Sequence, residues 1–157
     1  MELLLIRHGK AGPHGHPGGD GARDLVEKGV AQSRKVGEFL KAQDLVPDLA
    51  LTSPLIRAQR TAEIVCQTCG ADAPVVEGWL ACGMGPSEAL KELAAYRESC
   101  NRVAIFGHEP DFSSLAEHII GADPGGIRVK KASILLLQVD PPRRGGYLEF
   151  NIWPSQL

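Results

Sequence analysis

The chain opens with Glu2-Leu3-Leu4-Leu5-Ile6-Arg7-His8-Gly9, the stretch that is most informative about the fold. Its apolar run, residues 2–6, is short and has no helical period, which predicts a strand buried on both faces. Such strands are typical of parallel sheets covered by helices. The segment that follows, residues 9–24, is rich in Gly, Pro and His. It is predicted to be a loop, and its length makes a functional role plausible.

Beyond this loop, helix-like and strand-like segments alternate along the chain. The predicted helices are Glu27–Gln43, a helix that opens after Ser53-Pro54 and stops at Gly70, Ser87–Glu98, and a helix capped by Asp111. The predicted later strands are Asp48–Thr52, Pro74–Glu77, Arg102–Phe106, Ser133–Val139 and Tyr147–Trp153. This alternation predicts an α/β fold with a mostly parallel sheet, and the last two strands are expected to form an antiparallel hairpin at or near an edge. Neither a repeat nor a linker interrupts the pattern, so residues 1–157 are predicted to form a single domain.

Composition narrows the classes of function. The 157 residues carry a formal net charge of −2, without the basic excess of nucleic-acid-binding proteins, so no nucleic-acid partner is expected. The first apolar run is too short for a signal peptide, and no stretch is long enough to cross a membrane. We therefore expect a cytoplasmic protein with reduced thiols. The oligomeric state is not fixed by the sequence, and a monomer or weak dimer is the working expectation.

Cationic and imidazole side chains follow three of the predicted strands. The first strand ends in Arg7-His8-Gly9, the second is followed by Ser53 and Arg57, and the fourth leads into Gly107-His108-Glu109-Pro110. Ligands of open α/β sheets bind beyond the carboxyl ends of the strands, which lie on one rim. The sequence therefore predicts a positive pocket that contains two arginines and two histidines.

A phosphoryl group fits the chemistry of this pocket. Arginine presents a planar fork that pairs with two phosphate oxygens. Neutral imidazole is a competent nucleophile that can carry phosphate covalently, and a second imidazole can donate a hydrogen bond to a phosphoryl oxygen. Phosphoryl transfer depends mainly on positioning and electrostatics. No metal or organic cofactor is expected.

Three motifs in the chain resemble those of the histidine phosphatase superfamily. They are Leu5-Ile6-Arg7-His8-Gly9-Lys10-Ala11, the segment from Ser53 to Thr61, and Gly107-His108-Glu109-Pro110, in the family order. The resemblance implies a three-layer α/β/α sandwich of the phosphoglycerate mutase-like kind. It also implies that His8 is the phosphorylated nucleophile and that Arg7, Arg57 and His108 complete the catalytic phosphate pocket.

The branch of this superfamily depends on the proton donor. Mutase-like members carry a long insertion between the second and third motifs and place a catalytic Glu there, and this chain lacks the insertion. Glu77 is the nearest acid and the candidate proton donor, with Asp20 and Asp24 as weaker candidates. A phosphoramidate needs less help, because its nitrogen can be protonated from solvent. The short chain and the missing acid resemble the SixA-like phosphohistidine phosphatases, which implies a histidine-phosphorylated signalling protein as the substrate.

Two alternatives to this function remain open. The first is a small-metabolite phosphomonoesterase that acts on a sugar or nucleotide phosphate. The second is a non-catalytic phosphate-binding adaptor that retains the pocket. The intact set of two arginines and two histidines argues against the adaptor.

Four further residues are candidates for substrate binding: Ser53, Gly9, Glu109 and Lys10. The alternative interpretation of Glu109 is that it caps a helix. The alternative interpretation of Lys10 is that it is a surface charge.

Several residues are given structural interpretations. Cys66 and Cys69 fall on an apolar helical stripe and are interpreted as small core residues, with a redox or metal role as the alternative. His14 and His16 could line the mouth of the pocket, since no acid or cysteine completes a metal site with them. His118 and the pair Lys130-Lys131 are expected to be solvated.

Overall fold

The computed structural model of the protein describes all 157 residues. One six-stranded sheet is built from β1 (Glu2–Arg7), β2 (Leu49–Thr52), β3 (Val75–Val76), β4 (Arg102–Gly107), β5 (Ile134–Val139) and β6 (Gly146–Ile152). Four α-helices cover it: α1 (Glu27–Ala42), α2 (Ile56–Cys69), α3 (Pro86–Leu93) and α4 (Asp111–Ile120). The segment between β1 and α1 is a loop with one short 3₁₀ turn at Asp20–Ala22.

The strand order is β3-β2-β4-β1-β5-β6. The first four of these strands pair in parallel, whereas β5 is antiparallel to β1 and β6 is antiparallel to β5. This confirms the predicted α/β fold with its mostly parallel sheet and its antiparallel hairpin, with β6 at the edge.

The apolar run in β1 is explained by its central position between two neighbouring strands. Successive side chains of a strand point to opposite faces. Leu3 and Leu5 accordingly belong to the core on one side of the sheet, and Leu4 and Ile6 to the core on the other. All four are fully buried. A strand covered on both faces has no position for a solvated residue, which is why the sequence shows no alternation.

Helices form a layer on each face of the sheet. α1 and α2 pack on one face through side chains that include Val36, Leu40, Val65 and Cys66. α3 and α4 cover the other face, with Leu90, Leu93, Phe112, Leu115 and Ile119 in its core. The three-layer α/β/α arrangement is thereby confirmed. Cys66 and Cys69 are buried in the core between α2 and the sheet, as expected. None of the helices combines the length and the apolar character that a membrane span requires.

Small residues on α1 allow it to approach α2 closely. A Cβ atom added at Gly37 would lie 2.5 Å from Cβ of Thr68 and 2.9 Å from the carbonyl oxygen of Val65. Both distances are shorter than van der Waals contact. The weak apolar stripe of α1, which includes Ser33 and Gly37, therefore reflects close helix packing.

Three predicted elements differ in the structure. The helix expected over 87–98 ends at Leu93 and continues as a 3₁₀ turn. Strand β3 is shorter than expected, with only two residues, and both are exposed. Asp111 does not cap α4: it is the first helical residue, and its Oδ2 accepts the N–H of Gly83. The carboxylate of Glu109 instead accepts the N–H of Ser113 in the first turn, at 2.8 Å. The free N–H groups at the start of α4 are thus capped by Glu109, two positions before the helix begins. A sequence pattern for capping does not show which of the two acids caps the helix.

Candidate active site

A cavity of about 250 Å³ lies at the carboxyl ends of β1, β2 and β4. The parallel register pairs Arg7 with Gly107 and Thr52 with Phe106, so the residues that follow these strands meet at one rim. The cavity is lined by Arg7, His8, Ala11, His14, Asp20, Arg23, Arg57, Cys82, His108, Glu109 and Lys131.

His8 is held in a single tautomer by the backbone carbonyl of Gly9. Its Nδ1 lies 2.7 Å from the carbonyl oxygen of Gly9, which can only accept a hydrogen bond, so Nδ1 carries the proton. In the neutral ring, Nε2 then carries the lone pair. The Nε–H of Arg57 donates to this atom at 3.3 Å. Nε2 is therefore the nucleophilic position of the ring, and it faces the guanidinium group.

The His8 ring is neutral over a wide pH range. Only 6% of the residue is exposed, and its pKa is lowered to about 3. Burial is the main cause, the hydrogen bond to the Gly9 carbonyl opposes it, and His108, Arg57 and Arg7 add smaller lowering effects. A protonated imidazole has no lone pair at Nε2. Burial therefore keeps the ring in its nucleophilic form.

The loop after β1 is fixed by a close approach to α1. A Cβ atom at Gly9 would lie 2.7 Å from the carbonyl oxygen of Gly29, and one at Gly29 would lie 2.1 Å from that of Lys10. The N–H of Gly9 donates to Oγ1 of Thr61 at 3.0 Å, and this hydroxyl in turn donates to the carbonyl of Arg57. Thr61 thus ties the nucleophile loop to the helix that carries Arg57.

Arg57 lies in the first turn of α2 and is 4% exposed. Besides His8, it contacts Asp20: Nη1 donates to the carbonyl oxygen at 2.9 Å and Nη2 to Oδ2 at 3.1 Å. The same carboxylate pairs with Arg23 at 2.8 Å, and the hydrogen bond from Arg23 lowers the pKa of Asp20. Asp20 is therefore ionised at neutral pH. It accepts hydrogen bonds from the Arg57 guanidinium that could otherwise be donated to a phosphate group.

His108 contacts Ser53 behind the cavity. Its Nε2 lies 2.7 Å from the Ser53 Oγ, which also accepts the N–H of Leu55. Nδ1 of His108 has no partner in the protein. Burial, followed by the charges of Arg57 and Arg7, lowers the pKa of His108 to about 4, so its ring is also neutral at pH 7. The centroids of the His8 and His108 rings are 5.3 Å apart.

Arg7 and the segment just before β5 supply the remaining cationic residues of the cavity lining. Nη1 of Arg7 donates to the carbonyl of Val129 at 2.9 Å, and its buried Nε has no partner. Ala132 is fully buried with a φ of 56°, and its N–H donates to the carbonyls of both Arg7 and His8. A non-glycine residue in this left-handed region carries a cost of order 1 kcal/mol. That conformation ties the segment around Lys131 to the end of β1.

The structure brings together most of the residues predicted to form the site. Arg7, His8, Arg57, His108 and Glu109 line the cavity, and Ser53 lies directly behind His108. Gly9 contributes through its backbone, which faces His8 and Thr61 and does not line the cavity.

Two predicted residues lie elsewhere. The Lys10 side chain is exposed and does not line the cavity. Glu77 also lies outside it, where its Oε1 accepts a hydrogen bond from Tyr96 Oη at 3.4 Å. This placement argues against Glu77 as the proton donor, since the end of β3 directs it toward the segment after α3.

Four lining residues are absent from the predicted site or were weak candidates for it. Arg23 and Lys131 belong to no motif, and Cys82 follows the short β3. Asp20, a weaker candidate for proton donor, proves to be an ion-pair partner of Arg57. The only sequence signal for Asp20 and Arg23 is the length of their loop. His14 lines the cavity as expected, and His16 does not.

No cluster of three or more His, Cys, Asp or Glu residues in the chain is arranged to hold a metal ion. Seven of the eleven lining residues are Arg, Lys or His, against two carboxylates, Asp20 and Glu109, and this excess of cationic and imidazole donors suits an anion.

Comparison with known proteins places these features in a family. A family model described as the histidine phosphatase superfamily (branch 1) matches residues 3–111, a segment that contains all three strand-end motifs. An uncharacterised protein of Picosynechococcus sp. is 32% identical over 145 residues, which cover 88% of this chain and 85% of that protein. A 2,3-bisphosphoglycerate-dependent phosphoglycerate mutase of Parvibaculum lavamentivorans is 40% identical over 78 residues, which cover 48% of this chain but only 37% of the mutase.

Solved structures share the whole fold. The protein histidine phosphatase SixA, complexed with tungstate, aligns with a TM-score of 0.88 at 23% identity and covers 99% of this chain and 98% of its own. A SixA protein of Agrobacterium tumefaciens aligns with a TM-score of 0.80 at 23% identity, with 98% and 97% covered. At this level of identity, the likeness demonstrates a common fold.

Proposed function

The chain belongs to the histidine phosphatase superfamily, and on that premise we propose that it is a phosphohistidine phosphatase that forms a covalent intermediate on His8. The observation that carries the proposal is the state of His8. Its Nδ1 is bound to the Gly9 carbonyl, its pKa is lowered to about 3, and Nε2 lies 3.3 Å from the Nε of Arg57. A lone pair is thus presented beside a phosphate-binding cation.

The proposed reaction has two displacements at phosphorus. In the first, Nε2 of His8 forms a bond to phosphorus while the bond from phosphorus to the substrate nitrogen breaks. In the second, water attacks phosphorus, the bond to Nε2 breaks, and inorganic phosphate leaves. Arg7 and Arg57 neutralise the equatorial oxygens in both steps.

Ser53 supports the role of His108 as a hydrogen-bond donor. The Ser53 hydroxyl accepts a hydrogen bond from the Leu55 N–H, and its O–H can donate a hydrogen bond to Nε2 of His108 at 2.7 Å. The neutral ring then carries its proton on Nδ1, the atom without a protein partner. This N–H is the donor available for a phosphoryl oxygen.

The carboxylates near the cavity favour a phosphoramidate over an alkyl ester. An alkoxide needs a proton as it leaves. Asp20 is a poor donor because its pKa is lowered by Arg23, and Glu77 lies outside the cavity. Glu109 lines the cavity, but its Oε1 is engaged by the N–H of Ser113. The leaving nitrogen of phosphohistidine accepts a proton from solvent. A histidine-phosphorylated signalling protein is therefore the proposed partner.

A small phosphate ester is the second candidate substrate. Glu109 lines the cavity and is a carboxylate that could protonate an alkoxide there. The similarity to a phosphoglycerate mutase over part of the chain also favours this alternative. Glu109→Gln should then slow ester turnover selectively.

A paired turnover assay tests the proposal. Purified protein would receive a phosphohistidine peptide and a panel of alkyl and aryl phosphate esters, without added metal, beside His8→Asn. We expect rapid hydrolysis of the phosphohistidine, slow ester turnover, and a loss of at least about 10³-fold in the variant. Substantial activity of His8→Asn would exclude the covalent route. Rapid turnover of one alkyl ester would assign the second candidate instead.

The single domain, the monomeric or weakly dimeric state and the cytoplasmic location remain predictions.

A further inference from the structure

A second, larger cavity adjoins the active site. It has a volume of about 570 Å³ and shares Arg7 and Lys131 with the catalytic cavity. We call it the basic groove; its lining consists of Arg7, Lys28, Ala31, Gln32, Lys35, Lys130, Lys131, Pro154 and Ser155. Five of these nine residues are cationic and none is acidic, in a protein whose net charge is −2.

One face of α1 forms a wall of the basic groove. Lys28, Ala31, Gln32 and Lys35 are spaced by three and four residues, as required for a single helical face. A helix rises 1.5 Å per residue, so Lys28 and Lys35 are about 10 Å apart along the axis. The segment before β5 supplies Lys130 and Lys131, and the segment after β6 supplies Pro154 and Ser155.

The cations of the basic groove have no anionic side chain within 4.0 Å. Eight ion pairs within 4.0 Å occur elsewhere in the chain, and none of them involves Arg7 or any of the four lysines. Lys130 is directed by packing, with Nζ 3.5 Å from the centroid of the Trp153 ring. Burial, followed by the charge of Arg7, lowers the pKa of Lys131. Like charges gathered without counter-charges favour an anionic guest.

We propose that the basic groove binds an acidic polypeptide segment beside the phosphohistidine of the substrate protein. This inference rests on the proposed function and names the partner's chemistry. The two shared residues place the groove next to the catalytic cavity, so a chain that places phosphohistidine near His8 can extend along α1. About three extended residues span the distance between Lys28 and Lys35. Acidic residues within several positions of the phosphohistidine would therefore reach the lysines.

Two synthetic peptides test this assignment. They have the same length and one phosphohistidine, flanked on both sides by Glu and Asp in one peptide and by Gln and Asn in the other. The groove variant is Lys28→Glu with Lys35→Glu. The matched control is Arg34→Glu with Lys41→Glu, which makes the same charge change at exposed positions of the same helix outside the groove.

We expect the wild type and the control to hydrolyse the acidic peptide with a kcat/KM about tenfold higher at low salt, and the preference to shrink as salt is added. The groove variant should lose this preference while it hydrolyses the neutral peptide at the wild-type rate. Equal kcat/KM for both peptides in the wild type, or an equal loss in the control, would overturn the proposal.

A binding measurement separates this inference from the proposed function. Fluorescence anisotropy at low salt would follow the unphosphorylated acidic peptide on the wild type and on both variants. Binding that only the groove variant loses supports the basic groove, even if neither phosphopeptide is hydrolysed and the proposed function fails. Absence of binding, or binding of a single-stranded oligonucleotide in place of the peptide, would refute it.

Discussion

Arg57 holds Asp20 through both of its terminal nitrogens, with Nη2 3.1 Å from Oδ2 and Nη1 2.9 Å from the carbonyl oxygen of the same residue. A residue of the loop after β1 therefore occupies a guanidinium group that lines the catalytic cavity. Phosphate and the Asp20 carboxylate are both anions, so each weakens the binding of the other at Arg57.

Asp20→Asn should bind phosphate more tightly. Asp20 is 55% exposed, so solvent screens its attraction to Arg57 and its competition with phosphate is modest. We therefore expect the inhibition constant of inorganic phosphate to fall about two- to fivefold, as measured by competition in the turnover assay. Asp72→Asn, which removes an exposed charge beyond the far end of α2, is the control and should change nothing. Weaker phosphate binding in Asp20→Asn would mean that Asp20 positions Arg57 instead.

Ser53→Ala should impair His108 without unfolding the protein. Ser53 is fully buried, and its hydroxyl lies 2.7 Å from His108 Nε2. Without that hydroxyl, the ring proton is no longer directed to Nδ1. We expect kcat to fall about 10- to 100-fold with a smaller change in KM. Ser33→Ala, which deletes another fully buried hydroxyl that does not line the cavity, should cost about 1 kcal/mol of stability and leave kcat unchanged.

The tautomer itself provides a second readout. Nitrogen NMR of the imidazole rings should show His108 protonated at Nδ1 in the wild type and a changed tautomer in Ser53→Ala. A loss of kcat with an unchanged tautomer would assign Ser53 a packing role.

The two buried histidines should make stability depend on pH. Burial lowers the pKa of His8 to about 3 and that of His108 to about 4, from an ordinary value of 6.5. The unfolded chain therefore binds more protons between these values, and the free energy of unfolding falls as the pH drops below 6.5. We expect a loss on the order of 2 kcal/mol for each ring between pH 7 and pH 4.5.

Urea unfolding over this pH range measures the effect. The double variant His8→Asn, His108→Asn should flatten the dependence, whereas His118→Gln, outside the cavity, should retain it. An equally steep dependence in the double variant would show that other groups control it.

Glu77→Gln should leave turnover of every substrate within about twofold of the wild type. Its carboxylate contacts Tyr96 and does not line the catalytic cavity, so it cannot deliver a proton to a leaving group there. The measurement is kcat/KM for alkyl phosphate esters, the substrates most sensitive to a missing acid. A loss above tenfold would restore Glu77 as a proton donor.

Much of the sheet and of the site is predictable from local pattern. The run from Leu3 to Ile6 predicts a central strand because a strand covered on both faces must be apolar throughout. Helix ends are less predictable: Asp111 matches a capping pattern, yet its carboxylate contacts Gly83. The competing partner comes from a remote loop, which no local pattern contains.

The α/β fold can be predicted from the sequence alone. So can the meeting of Arg7, His8, Arg57 and His108 at one rim, because the carboxyl ends of parallel strands lie at the same edge of a sheet. Which loop residues join them depends on how the loops pack in three dimensions. Asp20, Arg23 and Lys131 enter the cavity and Glu77 does not. The path of a loop depends on close backbone contacts such as Gly9 on Gly29, and on hydrogen bonds between residues far apart in the chain. Strand ends follow from topology, whereas these contacts follow from packing.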